Sequence, residues 1–146
     1  MTAFAVALVA AGGIGGAVQA ALMGRFGERV GTLEAFAFAT LLTALIGAAL
    51  LLVGRGSVDG YAAAARQPVW LWTAALMSAL IVVGITYAAP RIGTTATIGI
   101  VVAGNLAMGA VIDRFGLFGL DRIPFHRERL LGIVLLAAGA ALSLKR

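Results

Sequence analysis

Five uncharged, mostly apolar runs divide this chain, and its charged residues lie between and beyond them. The runs cover Met1–Gly24, Ala35–Gly54, Gln67–Pro90, Ile92–Ile112 and Leu130–Leu144. A membrane-spanning helix takes about 20 predominantly apolar residues, and the first four runs reach that length. The fifth, with 15 residues, rises about 22 Å against a hydrocarbon core of about 30 Å. It spans if Arg127, Arg129, Lys145 and Arg146 snorkel to the two interfaces. Uncharged interiors are a strong signal, because one Arg or Asp at a helix centre costs about 2.5–3.5 kcal/mol while each Leu or Ile returns only about 0.3–0.6. The pattern predicts an all-α integral membrane protein in a single transmembrane domain, residues 1–146. Its five helices run roughly over 3–23, 34–54, 68–89, 93–112 and 129–144.

Local signals fit these spans. Pro68 suits the first turn of the third helix, where its missing N–H costs nothing. Trp70 and Trp72 lie just inside one end of that helix and Tyr87 near the other, the places of interfacial aromatics. Pro90-Arg91-Ile92-Gly93 reads as a tight turn, making helices three and four an antiparallel hairpin. Ser57 to Gln67 is a short polar link with a helical turn at Tyr61–Ala65. Phe115 to Arg129 mixes aromatic and charged residues and is expected to lie along the interface. Val18-Gln19-Ala20 loosely resembles a cleavage site, but no basic residue precedes the first run, so that helix is expected to be retained.

Composition narrows the function. The chain is 62% hydrophobic and 12% charged, with a mean hydropathy of +1.05. A soluble domain is about 45–50% apolar and about 25% charged, and one of this size has too much surface to hide the difference. No cysteine and one histidine, His126, exclude a thiolate site or a histidine metal site within one chain. His126 reads as an exposed loop residue. The eleven Lys and Arg, for a net charge of +5, are scattered singly between apolar runs. That spacing suits membrane loops rather than a phosphate-binding patch, so no nucleic-acid partner is expected. No phosphate-binding glycine loop, Ser/His/Asp set or paired acid is present, and neither an enzyme nor a cofactor is expected.

Five spans place the termini on opposite sides. Arg55, Arg66, Arg114, Arg122, Arg127 and Arg129 then share the N-terminal side, and Arg25, Arg29, Arg91, Lys145 and Arg146 the other. Orientation follows an excess of Lys and Arg in cytoplasmic loops, and six against five is hardly an excess. Two readings stay open: a weak signal rescued by the first helix, or dual topology with copies inserted both ways up. An odd number of spans makes the second consequential, since inverting such a chain yields an inverted repeat across two subunits.

Small and polar residues inside the spans supply the candidate site. Gly12 and Gly16 form a GxxxG pair, accompanied by Gly13 and Gly15, which lets another helix approach closely. Gln19 follows on the same face, either as an interhelical hydrogen-bonding group or as part of a substrate-facing wall. In the fourth span Thr97, Val101, Asn105, Gly109 and Asp113 recur every four residues and share one broad face. Asn105 sits near mid-membrane, where its amide must find a partner or line water. Asp113 and Arg114 at the boundary read as an interfacial ion pair. In the second span Phe36, Thr40, Thr43 and Gly47 share a face, for packing or for lining a cavity. Glu34 suits the N-terminal dipole of that helix, and Ser78 and Thr86 can bond their own backbone. No carboxylate occupies the middle of any span, which argues against a proton-coupled cation exporter.

These residues resemble a known family. Ala10-Ala11-Gly12-Gly13-Ile14-Gly15 through Gln19 and Leu22 is similar to the opening helix of the YdcZ-like family, a roughly five-helix branch of the drug/metabolite transporter (DMT) superfamily. Pro68-Val69-Trp70, Ala89-Pro90-Arg91-Ile92-Gly93, Gly104-Asn105-Leu106 and Ile112-Asp113-Arg114-Phe115-Gly116 follow the family's order, and Gly132 with Gly139 resembles its closing helix. The chain departs from the family at Ala20, where an Asn is usual, at Asn105, where Gln is usual, and at Ala74, Ala75 and Ser78 in place of a glycine pair. The resemblance implies a multi-pass transporter of the bacterial inner membrane, usually an exporter. It is similar to one half of a ten-helix inverted-repeat protein, hence a unit that works as a dimer.

Together these readings predict an antiparallel homodimer, or a pair with a paralogous subunit, in the lipid bilayer. Alternating access would move an unknown small molecule, neutral or weakly polar, through a central cavity. Gln19 and Asn105 would supply hydrogen bonds, Trp72, Tyr87, Phe36 and Thr40 the remaining lining, and Gly12, Gly15, Gly16 and Gly109 helix packing. The rivals are a small multidrug-type cation exporter, a dual-topology ion channel, and a scaffold or accessory subunit without transport.

Overall fold

The computed structural model describes residues 2–122 and 127–143. His126 and Phe125, Lys145 and Arg146, and the side chains of Arg127 and Arg129 lie outside the described part. The described residues form helices α1 (Thr2–Val30), α2 (Thr32–Arg55), α3 (Asp59–Ala65), α4 (Thr73–Ile92), α5 (Thr94–Phe115) and α6 (Arg127–Ser143). Short 3₁₀ turns, Val69–Trp72 and Leu117–Gly119, precede α4 and follow α5. Among the described residues there is no strand. Four segments of the described residues are long and apolar enough to cross a bilayer: Ala3–Val30, Thr32–Arg55, Val69–Ile92 and Thr94–Phe115. The apolar part of α6, Leu130–Ser143, is shorter.

Three expected boundaries are corrected. The first helix does not end near residue 23 but continues through Arg25, Phe26, Gly27, Glu28 and Arg29 to Val30. Charge marks where hydrocarbon stops, not where a helix must stop. Arg and Glu are good helix formers, and the Arg25 guanidinium pairs with Glu28 one turn later at 3.2 Å. At 29 residues the helix rises about 43 Å, well beyond the hydrocarbon thickness.

Second, Pro68 is not inside the first turn of α4. It stands just before the 3₁₀ turn Val69–Trp72 with extended backbone (ψ 136°). The α-helix begins at Thr73, whose hydroxyl donates to the Trp70 carbonyl at 2.6 Å. Third, Pro90-Arg91-Ile92-Gly93 is not a four-residue turn, because α4 runs through Pro90 to Ile92. Proline removes the N–H that would reach the Thr86 carbonyl, a loss confined here to the last turn. The joint with α5 is Gly93 alone, at φ 85° and ψ 151°. Gly31 joins α1 to α2 in the same way, at φ 103° and ψ 148°. This region of backbone is open to glycine and strained for other residues.

The chain divides into two compact units. One takes in the described residues of Met1–Leu22 and Ala88–Arg146, and the other is Met23–Tyr87. In the first, α6 packs on α5 where Gly99 faces Ala140. A Cβ at Gly99 would lie 3.0 Å from the Ala140 Cβ, so glycine sets how closely these helices approach. In the second, Gly27 plays this part against Thr86 of α4. Phe26 and Phe38 also meet edge to face there, with centroids 5.9 Å apart. The link after α2 contains α3 as a seven-residue helix covering the anticipated turn at Tyr61–Ala65.

Candidate functional site

In the first unit the polar face of α5 changes character along its length. Thr97 is buried, and its hydroxyl donates to the Gly93 carbonyl at 2.8 Å. Val101 is half-buried, whereas Asn105 two turns beyond Thr97 is exposed. A Cβ at Gly109 would meet nothing within 4 Å. Asp113 is half-buried and Arg114 exposed, at the end of α5 where span and charge meet. Arg114 borders a groove of about 200 Å³ between α5 and α6, lined otherwise by Ala107, Ala110, Val111, Leu130 and Ile133. That groove is apolar and, Arg114 apart, includes none of the residues picked out by sequence.

The same unit holds the glycine-rich part of α1. At Gly12, Gly13, Gly15 and Gly16 a Cβ would find open space. Gln19 is exposed, six residues and about 9 Å inside Arg25 along the axis. Among the described residues, neither the Gln19 amide nor the Asn105 amide forms a side-chain hydrogen bond. Both amides are therefore exposed on a single chain, as are Gly12, Gly13 and Gly15, while Gly16 and Gly109 are half-buried. In hydrocarbon such amides require a partner or water.

In the second unit α2 carries Phe36, Thr40, Thr43 and Gly47 on one face, within about 60° of each other at about 100° per residue. Phe36 is half-buried and Thr40 exposed. The Thr43 hydroxyl is spent on the Ala39 carbonyl at 2.8 Å. Thr86 of α4 is 1% exposed and donates to Val82 at 2.7 Å, the backbone bond its sequence allowed. Trp72 and Tyr87 are both exposed. Fifteen residues separate them, about 22 Å of helix, so within one copy they mark opposite ends of a span rather than one pocket wall.

Two residues of consequence escaped the sequence reading. Gly27 allows the close approach of α1 to Thr86. Tyr61 of α3 donates its hydroxyl to the Ala44 carbonyl of α2 at 3.3 Å, next to Gly47. A signal for the second did exist: Gly47 and Ala48, three and four residues beyond Ala44, leave its carbonyl unscreened. Among the described residues no three His, Cys, Asp or Glu gather as a metal site.

Comparison with known proteins places this chain. A family model described as "Putative inner membrane exporter, YdcZ" matches residues 4–142. Neither curated proteins nor solved structures include a match to the chain. With nearly its whole length matched, the chain belongs to the YdcZ family and is a protein of the inner membrane.

Proposed function

We propose that this YdcZ-family protein exports a small solute by alternating access through a passage enclosed by two copies inserted in opposite directions. The observation that carries the reading is the outward placement of Gln19 and Asn105, two exposed amides inside apolar spans with no side-chain partner among the described residues. Leaving such a group in lipid costs several kcal/mol. A second copy removes that cost, either by direct hydrogen bonds or by enclosing a wet cavity. The uncovered glycines of α1 support the same view, since small faces bring transmembrane helices together.

Inversion of the partner also gives the aromatic residues a role. Trp72 and Tyr87 mark opposite ends of one copy's span, so in an antiparallel pair Trp72 of one copy stands at the depth of Tyr87 of the other. Each mouth of the passage then carries both kinds of ring. Phe36 and Thr40 line it from α2, while Asp113 and Arg114 form a charged pair at the membrane boundary. Four helices of sufficient length and the shorter apolar α6, read as a fifth span, support this arrangement, because an odd number of spans is what lets an inverted copy complete an inverted repeat. The absence of an acidic residue from the middle of the four long spans favours a neutral or weakly polar solute over a cation.

Titration of candidate solutes against the protein and its Gln19→Ala and Asn105→Ala variants tests the site. The expected result is affinity weakened by about three- to tenfold in each, the effect of losing one hydrogen bond. Unchanged affinity in both removes these residues from the passage. Orientation is tested with single cysteines at the chain ends, labelled from one side of intact cells. The chain has no cysteine of its own, so the background is clean. Labelling of a fraction of the molecules at each terminus supports opposite insertion, and labelling at one terminus alone overturns it.

A further inference from the structure

The geometry around Tyr61 points to a gate: we propose that α3 is a strap that closes over the polar face of α2, with Tyr61 as its latch. The inference rests on the reading of that face as a wall of the passage. The link between α2 and α4 does not simply project away from the helix it follows. A Cβ at Gly60 would lie 3.5 Å from Leu51 Cδ2, and a Cβ at Gly47 would lie 3.6 Å from the Tyr61 hydroxyl oxygen. That hydroxyl donates to the Ala44 carbonyl, eleven residues and about 16 Å back from the end of α2 at Arg55. The strap thus folds back along a spanning helix, and the phenol reaches toward the middle of the span.

The acceptor is unusual in being reachable. A helix carbonyl is ordinarily screened by the side chains three and four residues on, which here are Gly47 and Ala48. The Ala44 carbonyl serves the helix with one lone pair and retains a second for Tyr61. The latch closes on the stripe formed by Phe36, Thr40, Thr43 and Gly47, at its Gly47 end.

The hold is weak by construction. It consists of one 3.3 Å hydrogen bond at an exposed site and contacts to glycine, and every residue from Tyr61 to Ala65 is exposed. Thr43 cannot reinforce it, because its hydroxyl already bonds Ala39. A strap held so lightly exchanges between closed and open states. What it uncovers is an acceptor, the Ala44 carbonyl, on the side of α2 that carries Gly47. The solute that replaces the latch therefore carries a hydrogen-bond donor, a hydroxyl or an amide N–H, and Tyr61 helps select for it.

The test uses the cysteine-free background and a positively charged, membrane-impermeant methanethiosulfonate as probe. In proteoliposomes, Thr43→Cys is expected to label slowly while Tyr61 is present. Labelling should accelerate about three- to tenfold in the Tyr61→Phe background, the range set by losing one hydrogen bond. Gly47→Val, which evicts the phenol sterically, should accelerate it at least as much. In a separate variant, Leu51→Cys with Gly60→Cys should be joined by a short bifunctional thiol reagent in native membranes.

Equal labelling rates in all three backgrounds, or failure of the 51–60 cross-link in protein that is otherwise folded, would overturn the strap while leaving the passage intact. A cross-link that forms while residue 43 labels in none of the backgrounds would place this face of α2 in lipid. That result overturns the passage reading and the gate with it.

Discussion

At Gly27 a Cβ added to α1 would lie 2.7 Å from Thr86 Cγ2, whereas at Gly12, Gly13, Gly15 and Gly16 of the same helix it would meet nothing within 4 Å. One helix thus uses glycine in two ways. Near its C-terminal end glycine is consumed by packing inside the subunit, against a threonine that is itself buried and bonded to its own backbone. Nearer the N-terminus four glycines stand uncovered. Glycine in a helix interior costs about 1 kcal/mol relative to alanine, and lipid offers nothing in return, since its tails pack as readily on a methyl group. Uncovered glycines make physical sense when a second helix lies on them. The contrast separates a glycine that holds the chain's own helices together from glycines that, in the function proposed above, would receive a second copy.

The sharpest way to break the comparison is at its packed end. Gly27→Val forces side-chain atoms into Thr86, which cannot yield without disturbing its hydroxyl bond to Val82. Overpacking of this kind costs about 1–3 kcal/mol, expected as a lowered thermal unfolding midpoint in detergent. Gly12→Val, in open space, should leave the midpoint of the separated subunit nearly unchanged. Equal losses at the two sites would show that the distinction between the ends of α1 is false.

The open end is tested on association. Gly12→Leu with Gly16→Leu places two large side chains on the uncovered face, and the folded subunit should tolerate them. Dimerisation, measured by energy transfer between separately labelled copies in lipid, should weaken by at least about tenfold, or about 1.4 kcal/mol. Undiminished transfer would move the interface elsewhere. Asn105→Leu is expected to act in the same direction but less, because interhelical hydrogen bonds in membranes average about 0.6 kcal/mol. A stronger dimer with leucine there would mean that the Asn105 amide faces lipid.

The same contrast explains what was readable in advance. Spans are a property of runs of residues: any charge inside Ala35–Gly54 or Ile92–Ile112 would have carried a penalty of several kcal/mol, so their absence was a direct physical signal. Boundaries are not. Arg25 and Glu28 told where hydrocarbon ends, yet a helix continues happily into water when its residues favour it, as α1 does. Pro90 suggested a turn, but in a helix's last turn it removes a single bond, and Gly93 was enough to turn the chain. Gly27 and Gly12 are the same letter in the same helix. Only Thr86, far away in sequence, distinguishes them. Tyr61 was hidden for a similar reason, since its partner is a backbone carbonyl, which every residue has.

The smallest effect expected along α1 concerns the charged extension that the hydropathy pattern did not anticipate. Arg25 and Glu28 pair at 3.2 Å with exposed side chains, a spacing of three on one helix. Such pairs contribute about 0.2–0.5 kcal/mol and weaken as salt is added. Glu28→Gln should therefore change the unfolding midpoint of the protein only slightly, and the difference should vanish at about 1 M salt, where the Debye length is about 3 Å. A loss as large as that from Gly27→Val would assign the helical extension's persistence to this ion pair. A negligible one assigns it to packing at Gly27 and the Phe26–Phe38 contact, two residues of that same extension that bind it to α4 and α2.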